Sequence, residues 1–139
     1  MLHWMDIVAA IAAQKHSGKT VVTASVDSVS FGKCIKLGDV VTLQAEISRS
    51  FNTSMEVHIT VWAENIPSGE KFKSNEAYYT FVALDRNGSP VTVPGLKPET
   101  EEEVKRFDGA LRRRQLRLIL AGKMKPDEAT ELKALFTQD

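Results

Sequence analysis

The sequence predicts an α+β domain in which an antiparallel sheet covers one apolar helix. Two observations lead to this prediction: an alanine-rich apolar segment near the start of the chain, and four later strand-like segments, in most of which apolar and polar residues alternate. A helix that is apolar on most of its faces must be covered, and a curved antiparallel sheet with one apolar face can cover it.

The apolar segment, Leu2 to Lys15, is predicted to be helical because alanine is the best helix former. Its alanines are Ala9, Ala10, Ala12 and Ala13. His16-Ser17-Gly18 follows as a stop signal. Apolar side chains surround most of the segment, so we expect a buried helix.

Four segments are predicted to be strands: three by period-two alternation, which indicates half-buried strands, and Ala77 to Leu84 as an aromatic-rich segment that is apolar on both faces. They are Val21 to Phe31, Val40 to Arg49, Met55 to Ala63 and Ala77 to Leu84. Turn signals stand between or after them at Gly38-Asp39, Pro67-Ser68-Gly69 and Asn87-Gly88.

The last third of the chain is predicted to be polar and helical. Val91 to Pro98 is an extended linker because its prolines disfavour a central strand. Glu99 to Leu120 follows as a helix, with acidic residues first and arginines later, the order that the helix dipole favours. A short final helix, from Pro126 to Phe136, has an apolar stripe of Leu132, Leu135 and Phe136 that suits either self-association or packing on its own domain. We therefore expect two parts, residues 1–98 and a helical extension of residues 99–139.

Composition excludes several classes of function. The 139 residues suit one domain, and 18 basic residues balance 18 acidic ones, so no overall charge favours nucleic acid or an anionic membrane. One cysteine, Cys34, cannot build a disulfide framework, which predicts a reducing cytoplasm. No apolar run approaches the roughly 18 residues of a membrane span, and the start lacks a signal-like core.

Three motifs occur together and in register. They are Trp4-Met5-Asp6-Ile7-Val8-Ala9-Ala10 with Lys15-His16, then Val22-Thr23-Ala24-Ser25-Val26-Asp27, then Arg49-Ser50-Phe51-Asn52-Thr53-Ser54-Met55-Glu56-Val57. In this order they resemble the acyl-CoA thioesterases of the hotdog superfamily, of the cytosolic acyl-CoA hydrolase type. Val93-Pro94, Glu99-Thr100-Glu101 and Arg113-Arg114 extend the resemblance to about Leu118.

The resemblance implies a hotdog fold, an antiparallel sheet wrapped around one long helix. It also implies hydrolysis of fatty acyl-CoA to free acid and CoA at a site between two subunits, in homodimers that assemble further as a trimer of dimers, a hexamer. No cofactor or metal is implied, because CoA is part of the substrate.

Asp6 matches the family's catalytic carboxylate, a general base or a direct nucleophile. Read from the residues alone, Asp6 in the first turn of the helix is better explained by the helix dipole, and it is the motif that favours the catalytic role. Two CoA-contacting segments are matched by Ala24, Ser25 and Val26 and by Thr53, Ser54 and Met55. Ordinary strand and turn positions account for the same residue types.

Arg113 and Arg114 resemble contacts to the nucleotide end of CoA, since arginine binds phosphate well. A solvated helix face paired with glutamates is the plainer explanation of the cluster Arg112, Arg113, Arg114 and Arg117. His16 is expected to cap the carbonyls at its helix end. His3 and His58 lack the spacing of metal ligands, and Cys34 is expected to be a buried or incidental thiol.

The sequence departs from the family at its start. The family's first strand, and the Asn and His-Gly-Gly segment that open the helix, have no match in these residues, and those glycines bring backbone close to the thioester carbonyl. This leaves a second hypothesis, a catalytically silent CoA-binding or oligomeric scaffold module of the same fold. A third, a hotdog dehydratase, is weaker because such enzymes resemble this chain but present a histidine on the helix motif, where Asp6 stands.

Overall fold

The computed structural model describes residues 2–122, which form two helices and one four-stranded sheet. In chain order the elements are α1 (Leu2–Ser17), β1 (Thr20–Ser30), β2 (Val40–Ser50), β3 (Ser54–Asn65), β4 (Glu70–Leu84) and α2 (Glu101–Leu120). The predicted α+β order, one helix followed by four strands and a second helix, is confirmed. The predicted final helix and its apolar stripe lie outside the described residues.

The sheet is antiparallel throughout, with the strand order β1-β4-β3-β2. β4 begins at Glu70, seven residues before the predicted start at Ala77, because the polar stretch after the turn pairs with the end of β3. Gly69, with φ +70°, adopts the left-handed conformation in that turn.

α1 packs on one face of the sheet, which we call the inner face. Its core residues Met5, Ala9 and Ala13 are spaced four apart and therefore share one side of the helix. They pack in one cluster with the inner-face residues of the central strands, among them Met55, Val57, Ile59, Val61, Tyr79 and Phe81. The small alanines let the helix approach the sheet closely.

The prediction that α1 is a buried helix is wrong for one side of it. Trp4 is 61% exposed, and Ile7 and Ile11 are also exposed. These side chains form an apolar stripe that nothing in residues 2–122 covers.

The prediction of half-buried strands is wrong for β3, which is buried on both faces. Glu56, His58 and Thr60 alternate with the core residues and point to the opposite, outer face, yet all three are buried. Their polarity had favoured solvent exposure. Instead of solvent, some of these polar side chains find hydrogen-bond partners in a network described below.

Each of three strand pairs contains a register shift. The shifts lie between Thr23 and Ser25 in β1, between Ile47 and Arg49 in β2, and opposite Val61 and Trp62 of β3. A bulge adds one residue to a strand, so the side chains beyond it change face relative to the regular alternation.

By its internal contacts the chain divides into two compact units, with the boundary between Leu96 and Lys97. In the first unit the segment after β4 is extended, as predicted, and Val91 and Val93 donate backbone hydrogen bonds to Ala83 and Asn52. In the second, α2 begins with a capping box: Thr100 accepts from the N–H of Glu103, whose carboxylate accepts from the N–H of Thr100.

Candidate active site

Asp6 lies on α1 above the inner face of the sheet. It is the fifth described residue of the helix and falls beyond the first turn, which contains no acidic residue, so the predicted first-turn position is wrong. The helix already runs from Leu2, which moves Asp6 away from the end where the dipole acts most strongly. Helix-dipole complementarity is therefore a poorer explanation of this carboxylate than the sequence suggested.

Thr23 of β1 orients the Asp6 carboxylate. Its Oγ1 donates a hydrogen bond of 3.2 Å to Asp6 Oδ1. Thr23 pairs with Phe81 of β4, which places its side chain on the inner face toward α1. Thr23 belongs to a motif that the sequence analysis quoted, but its partnership with Asp6 depends on strand register and had no separate signal in the sequence.

Tyr79, on the inner face of the sheet, interacts electrostatically with the Asp6 carboxylate. Burial raises the pKa of the Tyr79 hydroxyl, and the negative charge of Asp6 raises it further. The ring stacks on Phe81, with centroids 6.0 Å apart. Asp6 is thus a half-buried carboxylate that accepts from a threonine hydroxyl, which suits proton abstraction from water or direct attack on a carbonyl.

The bulge at Ala24 sends Ser25 to the other face of the sheet. Ser25 pairs with Thr80, an outer-face residue, whereas Val26 pairs with Tyr79 on the inner face. The hydroxyl oxygens Ser25 Oγ and Thr80 Oγ1 are buried, and neither has a hydrogen-bond partner among the described residues. Within one subunit Ser25 therefore faces away from Asp6, while Thr23 and Val26 lie on its side.

Thr53, Ser54 and Met55 form the entry to β3. The carbonyl of Thr53 accepts from the N–H of Ala83, and Ser54 is the first residue of the strand. Met55 is fully buried in the core. Thr53 and Ser54 are partly exposed, whereas Met55 offers no exposed surface within residues 2–122.

Arg113 and Arg114 lie on α2, in the second compact unit. Arg113 Nη2 donates 3.1 Å to the carbonyl oxygen of Arg106, so its side chain runs back along its own helix. Both arginines are partly buried. The helix carries one acidic residue, Asp108, after its first turn, so its later turns are strongly basic.

His16 does not cap its own helix, contrary to the prediction. Its Nε2 lies 2.9 Å from the carbonyl oxygen of Pro94 and 2.9 Å from Ser50 Oγ. The last turn of α1 is served instead by Ser17 and Gly18, which bond to the carbonyls of Ala13 and Gln14. His16 thus links the helix to β2 and to the segment after β4.

Cys34 is exposed, so the alternative prediction of a buried thiol is wrong.

A charged network on the outer face had no signal in the sequence. His58 Nε2 lies 2.5 Å from Glu76 Oε1, and His58 Nδ1 lies 3.7 Å from Glu46 Oε1. Tyr78 donates 3.3 Å to the same Glu76 oxygen, and its ring lies 5.0 Å from the His58 ring. These residues are separated by up to 32 positions in sequence and meet only through the β2-β3-β4 register.

Within residues 2–122, no three metal-binding side chains come together as a metal site. In the same part of the chain, no helix is long and apolar enough to cross a membrane.

Comparison with known proteins identifies one family. Residues 1–70 match the model of the thioesterase superfamily. The cytosolic acyl coenzyme A thioester hydrolase of Rattus norvegicus is 40% identical over 106 residues, which cover 75% of this chain and 28% of that protein. This chain therefore spans less than a third of the rat protein.

Solved structures of similar proteins share the fold. A hexameric acyl-CoA thioesterase in its apo form superimposes with a TM-score of 0.80 at 36% identity, covering 86% of this chain and 77% of the other. The acyl-CoA hydrolase from Staphylococcus aureus, solved with butyryl coenzyme A, coenzyme A and coenzyme A disulfide, gives a TM-score of 0.78 at 36% identity, covering 88% and 76%.

Proposed function

Because the chain belongs to the thioesterase superfamily and has its hotdog fold, we propose that it hydrolyses acyl-CoA thioesters to free fatty acid and CoA. The observation that carries the proposal is the Asp6 carboxylate, which Thr23 orients above the inner face of the sheet. A fixed, half-buried carboxylate at a matching position is what thioester hydrolysis requires of its base or nucleophile.

In the general-base form of the reaction, Asp6 takes a proton from water and the resulting hydroxide attacks the thioester carbonyl carbon. The tetrahedral intermediate then collapses, the C–S bond breaks, and the proton returns to the CoA thiolate. In the nucleophilic form, an Asp6 oxygen attacks the carbonyl, CoA leaves, and water hydrolyses the mixed anhydride. Thr23 holds the carboxylate in one orientation in either form, which saves the entropy of aligning it.

We propose a site shared between two subunits that pair along β1. This strand is at one end of the sheet order, and in the described residues nothing pairs with its outer edge. Val22, Val26 and Val29 are exposed along it, and Trp4, Ile7 and Ile11 are exposed on α1. An unpaired edge beside an apolar surface supports association with a second copy, and the hexameric relative supports a trimer of such dimers.

The proposed contacts to CoA are those that the sequence resemblance implied. Ala24, Ser25 and Val26 on β1, with Thr53, Ser54 and Met55 at the start of β3, would contact the pantetheine arm. Arg113 and Arg114 would bind nucleotide phosphates, supported by the basic character of α2. In a dimer the outer-face position of Ser25 would belong to a different part of the ligand path from Asp6, because the two residues lie on opposite faces of one sheet.

We also propose residues 1–98 as the thioesterase domain, residues 99–139 as an extension, and a cytoplasmic location, without nucleic-acid or membrane partners.

The silent CoA-binding module is not favoured, because Asp6 is present and held by a hydrogen bond. A dehydratase is not favoured either, since the comparisons identify thioester hydrolases. Neither the second nor the third hypothesis has an observation of its own in this structure.

The test is release of free CoA thiol from short-, medium- and long-chain acyl-CoA by the full chain. We expect turnover in the wild type and a loss of at least about a hundredfold in Asp6→Asn, since the amide neither accepts a proton well nor attacks a carbonyl. Asp108→Asn, an exposed aspartate on α2, is the matched control and is expected to keep its kcat. A folded Asp6→Asn variant with unchanged kcat would sink the proposal.

A further inference from the structure

A glycine stands in the middle of α2, where the rest of the sequence favours a helix. Gly109 is the ninth of the 20 residues in Glu101–Leu120. Glycine is the least favourable residue in a helix interior after proline, because it loses the most backbone freedom. Its φ is negative, so no left-handed conformation explains it. A reason for this glycine must therefore come from what lies next to it.

The guanidinium group of Arg113 occupies the space that a side chain at position 109 would need. A Cβ built on Gly109 would lie 2.9 Å from Arg113 Nη1, 3.6 Å from Cζ and 3.7 Å from Nη2. Residues four apart are neighbours on one helix face, and helix side chains point toward the N-terminus. The Arg113 side chain follows that direction and lies over Gly109.

A hydrogen bond fixes the far end of the same side chain. Arg113 Nη2 donates 3.1 Å to the carbonyl oxygen of Arg106, one turn beyond Gly109. Contact with the bare backbone and this bond together select one orientation of a side chain with several rotatable bonds. The planar group is thereby presented in one orientation, and an arginine fork matches a phosphate only when its plane is suitably oriented.

Resting on the proposed function, we propose that Gly109 is a positioning residue, whose missing side chain seats the Arg113 guanidinium for binding the nucleotide phosphates of CoA. The gain is pre-organisation. An immobilised long side chain loses rotamer entropy when a ligand binds, and here the helix itself has already removed that freedom. Any side chain at position 109 would displace the group from its seat.

The experiment compares butyryl-CoA with S-butyryl-pantetheine, which has the same thioester and arm but no nucleotide. For Gly109→Ala we expect KM for butyryl-CoA to rise about two- to tenfold, the range expected from immobilising one such side chain. We expect kcat, and KM for the pantetheine substrate, to stay unchanged. A merely structural role would alter both substrates alike.

A double-mutant cycle ties the effect to Arg113. Arg113→Ala should raise KM for butyryl-CoA at least as much as Gly109→Ala, and adding Gly109→Ala to it should change nothing further. Lys105→Ala removes an exposed positive charge from the same helix and is the matched control, expected to keep KM within about twofold.

An unchanged KM for butyryl-CoA in Gly109→Ala, equal shifts for the two substrates, or additive effects in the double variant would overturn the inference while leaving thioester hydrolysis standing. If the wild type hydrolyses neither substrate, the proposed function fails. The same variants are then compared by calorimetric titration with CoA. If Gly109→Ala weakens CoA binding in the wild-type background but not in the Arg113→Ala background, the positioning role of Gly109 is supported. If Gly109→Ala binds CoA with the wild-type Kd, that role is overturned.

Discussion

Asp6 and Thr23 come from different elements, and one hydrogen bond between them determines which way the carboxylate points. Asp6 could be singled out from the sequence because its motif resembles a family pattern. Thr23 could not, because its contribution depends on the register that sets it opposite Phe81 and under α1. A local motif does not encode such a register.

At the scale of this residue pair, replacing Thr23 removes one donor to a catalytic group. We expect Thr23→Val to lower kcat about tenfold or more, the effect of losing one hydrogen bond to a charged group, with KM much less affected. Thr23→Ser keeps the hydroxyl and is expected to retain most of the activity. Steady-state kinetics on butyryl-CoA measures both, and equal kcat values in the valine and wild-type proteins would contradict the role of Thr23.

The sheet has an outer face that no alternation pattern describes well. Polar residues at every second position of β3 predicted solvent on that side, but Glu56, His58 and Thr60 are buried. His58 is held between Glu76 and Glu46 from the two neighbouring strands. The sequence showed an isolated histidine, because partners on other strands are visible only once the strands are paired.

This network links the stability of the sheet to pH. Burial raises the pKa of the Glu76 carboxyl, but the hydrogen bond and charge of His58 outweigh it, aided by Lys73 and Tyr78. The pKa therefore lies below its ordinary value of 4.5. The unfolded chain then binds the proton more readily than the folded one, so this contribution is complete above about pH 4.5 and disappears as the pH falls through the lower folded value.

We expect the free energy of unfolding to fall as the pH is lowered below about 4.5, and to fall less steeply in Glu76→Gln, which has no carboxyl to titrate there. Urea unfolding at a series of pH values measures the slope. Glu99→Gln, an exposed glutamate, serves as the control and should keep the wild-type slope. Identical slopes in wild type and Glu76→Gln would show that the network does not stabilise the folded state.

At the scale of the whole molecule, the main unexplained feature is the apolar surface of α1 that stays exposed in the described residues. The sequence predicted a buried helix, but the sheet covers only the side of α1 that carries Met5, Ala9 and Ala13. Within residues 2–122, nothing covers the side that carries Trp4, Ile7 and Ile11. The fold class was therefore predictable from this sequence, while the extent of burial was not, because an apolar pattern does not show which neighbour covers each side of a helix.

Assembly along β1 can be tested at its exposed valines. We expect Val29→Lys to weaken the proposed dimer, because a charge would have to be desolvated at the contact, and activity to fall with it if the site is shared. Sedimentation velocity over a range of concentrations measures the assembly. Val40→Lys, an equally exposed valine on β2 at the other edge of the sheet, is the comparison. A Val29→Lys protein that is active and assembled like the wild type would rule out this edge.

The bulge at Ala24 gives β1 two halves of opposite phase. Before it, Val21 and Thr23 face α1; after it, Val26 does. One inserted residue therefore determines which face of the sheet the later side chains of the strand occupy. Deleting Ala24 would leave the composition of the strand almost unchanged, yet it would move Ser25 to the side of Asp6 and turn Val26 away from it.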